Sequence, residues 1–333
     1  LIHSSMLMIE SKSAMWFSRG RHKHMADFDS IINIDEWISD YYLTTDEKGS
    51  SFGKRVADAF KLWKLEEKDG LPPSTRLTSG REAIQTALAS LSEETDATQL
   101  HEVYDLISEA FGYPSIAPRT VLRGNSELTF EAAADKDLTA IVLRAAPVDA
   151  LEDFPSTPLL PLVDDSLPSL DDKPVNYTAH KLVGELFLAE NAPHFIVVLA
   201  GNFAILAERE TWPLGRYLAV DVALAIERND RRARGEIQRV TAILAFEHLA
   251  RGADGTTWWH DTIAEARDHS VKVSAELRAS IKDSIEIIGN DVLDRHRSQG
   301  LPITELKGDE LGKQALRYLY RILFLLFAEA SPE

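Results

Sequence analysis

The apolar residues of this chain change their period twice, and that change constrains the fold more than any other feature of the sequence. Up to about residue 114 the spacing is helical. Met25 opens the pattern, and Asp35-Glu36-Trp37-Ile38 predicts a short amphipathic helix with two acids near its start, where they complement the helix dipole. Ser51 is placed to cap a second helix carrying Val56, Phe60 and Trp63 or Leu62 on one stripe, ended by Gly70-Leu71-Pro72-Pro73. A third starts at Ser79 with Ile84, Leu88 and Leu91. Leu100, Val103, Ile107 and Phe111 continue the same spacing to Gly112 and Pro114.

From Arg119 the period becomes strand-like. Thr120-Val121-Leu122, Leu128-Thr129-Phe130-Glu131 and Ala140-Ile141-Val142-Leu143 are short runs separated by turn residues, the signature of a meander. Residues 147–174 are rich in proline and aspartate and are expected to run as an exposed loop. A helix over Ala179–Ala189 follows. Two apolar strands, His194–Ala200 and Phe203–Glu208, flank Gly201-Asn202 and predict a β-hairpin.

After Asp221 the helical period returns. Glu236–Ala250 predicts one helix, and a long one is expected from the caps at Asp254–Thr257 to about Arg297, with Val273, Leu277, Ile281, Ile285, Ile288 and Val292 on one face. The helix Ala315–Ala330 is apolar over more than half its circumference and calls for burial on most sides. The fold class is therefore α+β: a small, mostly antiparallel sheet with flanking helices, followed by an all-helical connector subdomain. Residues 1–24 read as a non-native or disordered leader. Residues 25–221 read as the α+β domain, degenerate nuclease-like if the sheet is related to a nuclease, and residues 222–333 as the connector.

Composition narrows the function. The 333 residues contain no cysteine, which excludes disulfides, cysteine-ligated metal and a cysteine nucleophile and fits a reducing cytoplasm. The net charge of −17 argues against a general nucleic-acid coat or a polybasic membrane binder, while leaving room for a local basic patch. No apolar run reaches the roughly 18 residues of a membrane span. Chemistry is sparse. A restriction-type metal nuclease needs an acid and a Glu-x-Lys pair on adjacent strands. Glu66-Glu67-Lys68 and Glu305-Leu306-Lys307 match the tripeptide, but neither falls on a strand, and Glu131 lacks the lysine. Asp261, Glu265 and His269 stand four residues apart on the long helix as a metal half-site or, more simply, a solvated polar stripe; His22-Lys23-His24 is weaker still. No catalytic, cofactor-binding or metal residue is assigned. The one cluster suited to DNA phosphates is Arg228, Arg231, Arg232, Arg234 and Arg239, since guanidinium forks match phosphate geometry.

Three stretches carry a resemblance. Glu36-Trp37-Ile38-Ser39-Asp40-Tyr41-Tyr42-Leu43-Thr44 resembles the opening helix of large adenine-specific DNA methyltransferases of the type IIG restriction and BREX or DISARM phage-defence kind. The stretch from His194 through Trp212-Pro213-Leu214-Gly215-Arg216-Tyr217-Leu218-Ala219-Val220-Asp221 is similar to their hairpin and the segment after it. Leu316–Ala330 is similar to the helix that precedes their methylase domain. The resemblance implies a cytoplasmic DNA methyltransferase with S-adenosylmethionine as donor. In it, this chain is an N-terminal fragment, not catalytic by itself and holding no cofactor. Its implied partners are DNA, a methylase domain packing on Ala315–Ala330 and other defence-system proteins, with no membrane. A protein-interaction scaffold and a metal-dependent nuclease domain are the alternatives.

Overall fold

The computed structural model describes residues 24–25, 28–45, 50–65, 71–91, 95–161, 168–252, 255–302 and 307–330. The fold is α+β. In chain order the elements are β1 (His24–Met25), β2 (Phe28–Ile34), α1 (Asp40–Thr44), α2 (Phe52–Leu65), α3 (Pro73–Ala89), α4 (Ala97–Phe111), β3 (Ala117–Arg123), β4 (Ser126–Ala134) and β5 (Ala140–Ala145). Then come β6 (Ser169–Leu170), β7 (Lys173–Pro174), α5 (Ala179–Phe187), β8 (Phe195–Ala200), β9 (Phe203–Glu208) and β10 (Tyr217–Asp221). The remaining helices are α6 (Val222–Arg228), α7 (Glu236–Leu244), α8 (Phe246–Leu249), α9 (Trp258–Ser298) and α10 (Gly308–Ala330).

The strands form one sheet in the order β1-β2-β10-β9-β8-β5-β4-β6-β7, with β3 paired to β4. Every pairing is antiparallel except β5 with β8, where Ala140 lies beside Phe195 and Ala145 beside Ala200. That parallel pair requires a crossover, which α5 supplies. Successive side chains of β8 go to opposite faces. Phe195, Val197 and Leu199 join a core under α1–α4, α6 and α7, while Ile196, Val198 and Ala200 join a second core under α5 and Phe154. Burial on both faces explains why β8 reads Phe-Ile-Val-Val-Leu-Ala without polar alternation.

The hairpin forms as predicted: Ala200 pairs with Phe203 and Phe195 with Glu208 around Gly201-Asn202. Gly201 sits at φ +66°, and a Cβ there would stand 2.9 Å from Pro147 Cβ. The meander also forms, with Gly124 at φ +63° in its first turn. At the N-terminus of α4, Asp96 accepts from Gln99 N while the Gln99 side chain accepts from Asp96 N, a capping box. Ser51 Oγ accepts from Lys54 N at the start of α2.

Several local expectations change. The segment opened by Met25 is extended, not helical. Phe28–Ile34 forms β2 because Ile31 packs on one face of the sheet and Ile32 and Ile34 on the other. Asp35 and Glu36 lie in the turn that follows, at φ +49° and +52°, so the helix begins only at Asp40. The helix expected from Ser79 begins at Pro73, whose fixed φ suits the first helical turn. Residues 147–174 do not all run exposed: Leu151–Ser156 forms a 3-10 turn that buries Leu151 and Phe154. The predicted Glu236–Ala250 helix is broken at Ala245 into α7 and α8.

The chain divides into two compact units, Leu1–Arg267 and Asp268–Glu333. The first contains the sheet, both cores and α1–α8. The second consists of the rest of α9 and α10. Within it, Val273, Ile281, Ile285, Ile288 and Val292 are half-buried, Leu277 is exposed, and Leu311 lies against Gly289. Ala315 is buried, but Tyr318, Tyr320 and Leu323–Phe327 are exposed, so the burial on most sides expected for α10 is not provided by the described residues. No helix among them is long and apolar enough to cross a membrane.

Candidate nucleic-acid interface

The arginine-rich segment between α6 and α7 is built around Asp230. Its carboxylate accepts from Arg232 N at 3.1 Å, Arg232 Nε at 2.8 Å and Arg232 Nη2 at 2.9 Å, and from Glu236 N at 3.4 Å. These bonds, those to Arg232 first, hold the carboxyl down at about 2. A Cβ at Gly235 would meet Asp230 Oδ2 at 2.8 Å, so the loop closes tightly on this one acid. Asn229 ends α6 in the left-handed region, which its short amide side chain tolerates.

The five arginines of this segment do not share one surface. Arg228 pairs with Asp29 and, through Nε at 3.3 Å, with buried Glu236, which also accepts from Ser30 N and Ser30 Oγ. Arg232 is neutralised by Asp230. Arg239 is wholly buried: it donates to the carbonyls of Leu43 and Arg234, and its guanidinium lies 4.0 Å from the centroid of the Phe28 ring. Burial removes it from any DNA surface and gives it a core role. Arg231 is exposed and donates to the side-chain oxygen of Asn229, while Arg234 is half-buried at φ +63°. Among the described residues, these two have no carboxylate partner. The sequence shows the arginines but not their counterions, because Asp29 is some two hundred positions away and Glu236 reads as an ordinary helix-start acid.

The strands that a nuclease would use carry a different arrangement. Arg144 is the one charged residue of β5. It donates to Asp105 Oδ1 at 2.6 Å and to His101 Nδ1 at 3.1 Å, and is 5% exposed. Arginine is always a donor, so His101 Nδ1 accepts and its Nε2–H donates to Pro161 O at 2.9 Å. This chain of bonds ties α4 to β5 and leaves the guanidinium committed. Glu131 lies on β4. Glu66-Glu67-Lys68, residues 1–23 with His22-Lys23, and Glu305-Leu306 lie outside the described residues. Asp261 is exposed, whereas Glu265 is bound by Ser50 and by Arg55 of α2. His269 is buried. Among the described residues, no group of three His, Asp or Glu side chains is placed to hold a metal.

Comparison with known protein families, curated proteins and solved structures gives no match for this chain.

Proposed function

We propose that this chain is the N-terminal DNA-positioning and connector module of an adenine-specific DNA methyltransferase of a restriction-modification or phage-defence system. In this reading S-adenosylmethionine and the target adenine are held by a methylase domain, and that domain packs on α10. The observation that supports it most is the state of α10. Phe324, Leu325, Leu326 and Phe327 are 72%, 63%, 55% and 60% exposed, a band of large apolar side chains around the helix of the kind that an interface covers. The resemblance of Leu316–Ala330 to the helix preceding such methylase domains names the cover. Sequencing of modified bases in cells carrying the gene is expected to show N6-methyladenine at one short motif, lost on Phe324→Lys with Phe327→Lys. Unmodified adenine throughout would overturn the reading.

A second reading, a protein-binding scaffold without DNA contact, is favoured by the internal pairing of Arg228 and Arg232 and the burial of Arg239. A salt-dependent DNA shift that weakens in Arg231→Ala with Arg234→Ala decides against the scaffold.

A further inference from the structure

The ladder of β8 and β9 continues one residue beyond its last paired positions. Phe195 pairs with Glu208, and Arg209 N then donates to His194 O at 3.1 Å, which sets His194 opposite Arg209 with both side chains on one face. His194 N is itself held by Thr139 O at 3.0 Å. Onto this pair the chain brings two further basic groups. Arg251, after α8, directs Nη2 to His194 Nε2 at 2.7 Å, and the His260 ring lies 4.6 Å from the His194 ring. His260 stands in the first turn of α9, where Thr257 Oγ1 accepts from its backbone N and lies 3.0 Å from its Nδ1. Both imidazoles are half-buried, and both guanidinium groups are exposed.

Among the described residues the countercharge is deficient. Glu210 is the carboxylate that acts on His194, and it is already engaged by Arg267 at 3.0 Å. Asp261, beside His260, is exposed. Among the described residues, neither Arg209 nor Arg251 has a carboxylate partner, and Arg251 spends a charged donor on a neutral imidazole. Burial, with His260, Arg251 and Arg209 nearby, holds the His194 imidazole below its usual range, and Glu210 only partly opposes this. In a chain of net charge −17, two guanidinium groups gathered around two imidazoles make a surface patch of positive potential that no carboxylate among the described residues neutralises. A tetrahedral oxyanion accepts from two guanidinium forks and an imidazolium at once.

We propose that His194, Arg209, Arg251 and His260 form a binding site for a phosphate group, supplied by a nucleic-acid backbone or by free phosphate. The anion takes the donor of Arg251 that His194 now accepts, which frees Nε2 of His194 to bind a proton and donate in turn. Phosphate binding is therefore coupled to proton uptake at His194. The site stands apart from the methyltransferase reading, since it requires only an oxyanion.

The test follows the His194 and His260 imidazole resonances of the 333-residue chain by NMR across pH 5–8, with and without inorganic phosphate. In parallel, binding of a 20-base-pair duplex is measured from 50 to 200 mM salt. Arg209→Gln with Arg251→Gln is compared with Lys54→Gln, an exposed basic position on α2, after thermal unfolding has shown all three proteins folded. Phosphate is expected to raise the titration midpoint of His194 in the native chain and not in the double variant. A backbone source adds at least a fivefold loss of duplex affinity in the double variant and a salt slope shallower by about 0.9 for each phosphate no longer neutralised. A phosphate response with duplex binding unaltered, or with no duplex binding at all, supports free phosphate as the source. A His194 midpoint indifferent to phosphate, together with unaltered duplex affinity, overturns the site. So does a loss in Lys54→Gln as large as in the double variant.

Discussion

Tyr104 shows how much a single side chain contributes here. Its hydroxyl donates to Ala145 O at 2.8 Å and accepts from Gly201 N at 2.6 Å, so one phenol joins α4, the end of β5 and the hairpin turn. Burial, the largest influence, pushes its ionisation up to about 12, and it acts as a neutral donor and acceptor at any physiological pH. Tyr104→Phe removes both bonds and strands two buried backbone groups, at a cost of about 1–3 kcal/mol. Urea unfolding should show a lower midpoint with an unchanged slope. His248 makes a different prediction. It is stacked between Trp258 at 4.3 Å and Trp63 at 4.5 Å, with Nδ1 at 2.7 Å from Ala242 O. Burial first, and Arg55 to a lesser degree, push it down to about 3, against the carbonyl of Ala242. The folded protein therefore refuses a proton that the unfolded chain accepts near pH 6.5. Stability from this residue is complete above that pH and falls by about 1.4 kcal/mol per pH unit on acidification toward pH 3. Denaturant unfolding between pH 7 and 4 should have a shallower pH dependence in His248→Gln than in the native protein.

At the scale of elements, legibility follows whether local turn chemistry marks a segment's ends. The meander, the hairpin and α4 are read correctly because local turn chemistry marks their ends: Gly124-Asn125, Gly201-Asn202, and Gly112 with Pro114 after α4. β2 is misread because it is buried on both faces, which erases the alternation that identifies a strand, and because its polar members are satisfied at a distance. Ser30 bonds to Glu236, and Asn33 bonds to Ile38 O and Asp40. The break at Ala245 has no local marker either. Gly201→Ala tests the hairpin: the left-handed φ and the approach of Pro147 should cost about 1–3 kcal/mol, read from the unfolding midpoint. Replacing Phe324 and Phe327 of α10 by Lys tests the exposed surface. Stability should change by less than about 0.5 kcal/mol, while fluorescence of the apolar dye ANS bound to the chain falls. A large loss of stability would mean that the two rings are packed within the chain itself.

For the whole molecule, the two units differ in how much they bury. Residues up to Arg267 enclose two cores around the sheet, whereas in the Asp268–Glu333 unit His269 and Ala315 are the buried positions among the described residues. Amides of β8 and β9 should therefore resist hydrogen exchange far longer than those of residues 271–298, since local opening exposes little apolar surface in the second unit. Comparable protection in the two would contradict the burial difference. The sequence by itself determined the α+β class, the meander, the hairpin and the apolar character of α10, because these rest on period, turn chemistry and caps within a few residues. It also supplied the arginines of residues 228–239. Only the tertiary structure decided what those charges do. It paired Arg228 with Asp29, sealed Arg239 in the core, and assembled His194, Arg209, Arg251 and His260 from three separate parts of the chain. Electrostatic roles depend on distances between charges, and residues fifty or two hundred positions apart acquire those distances only when the chain folds.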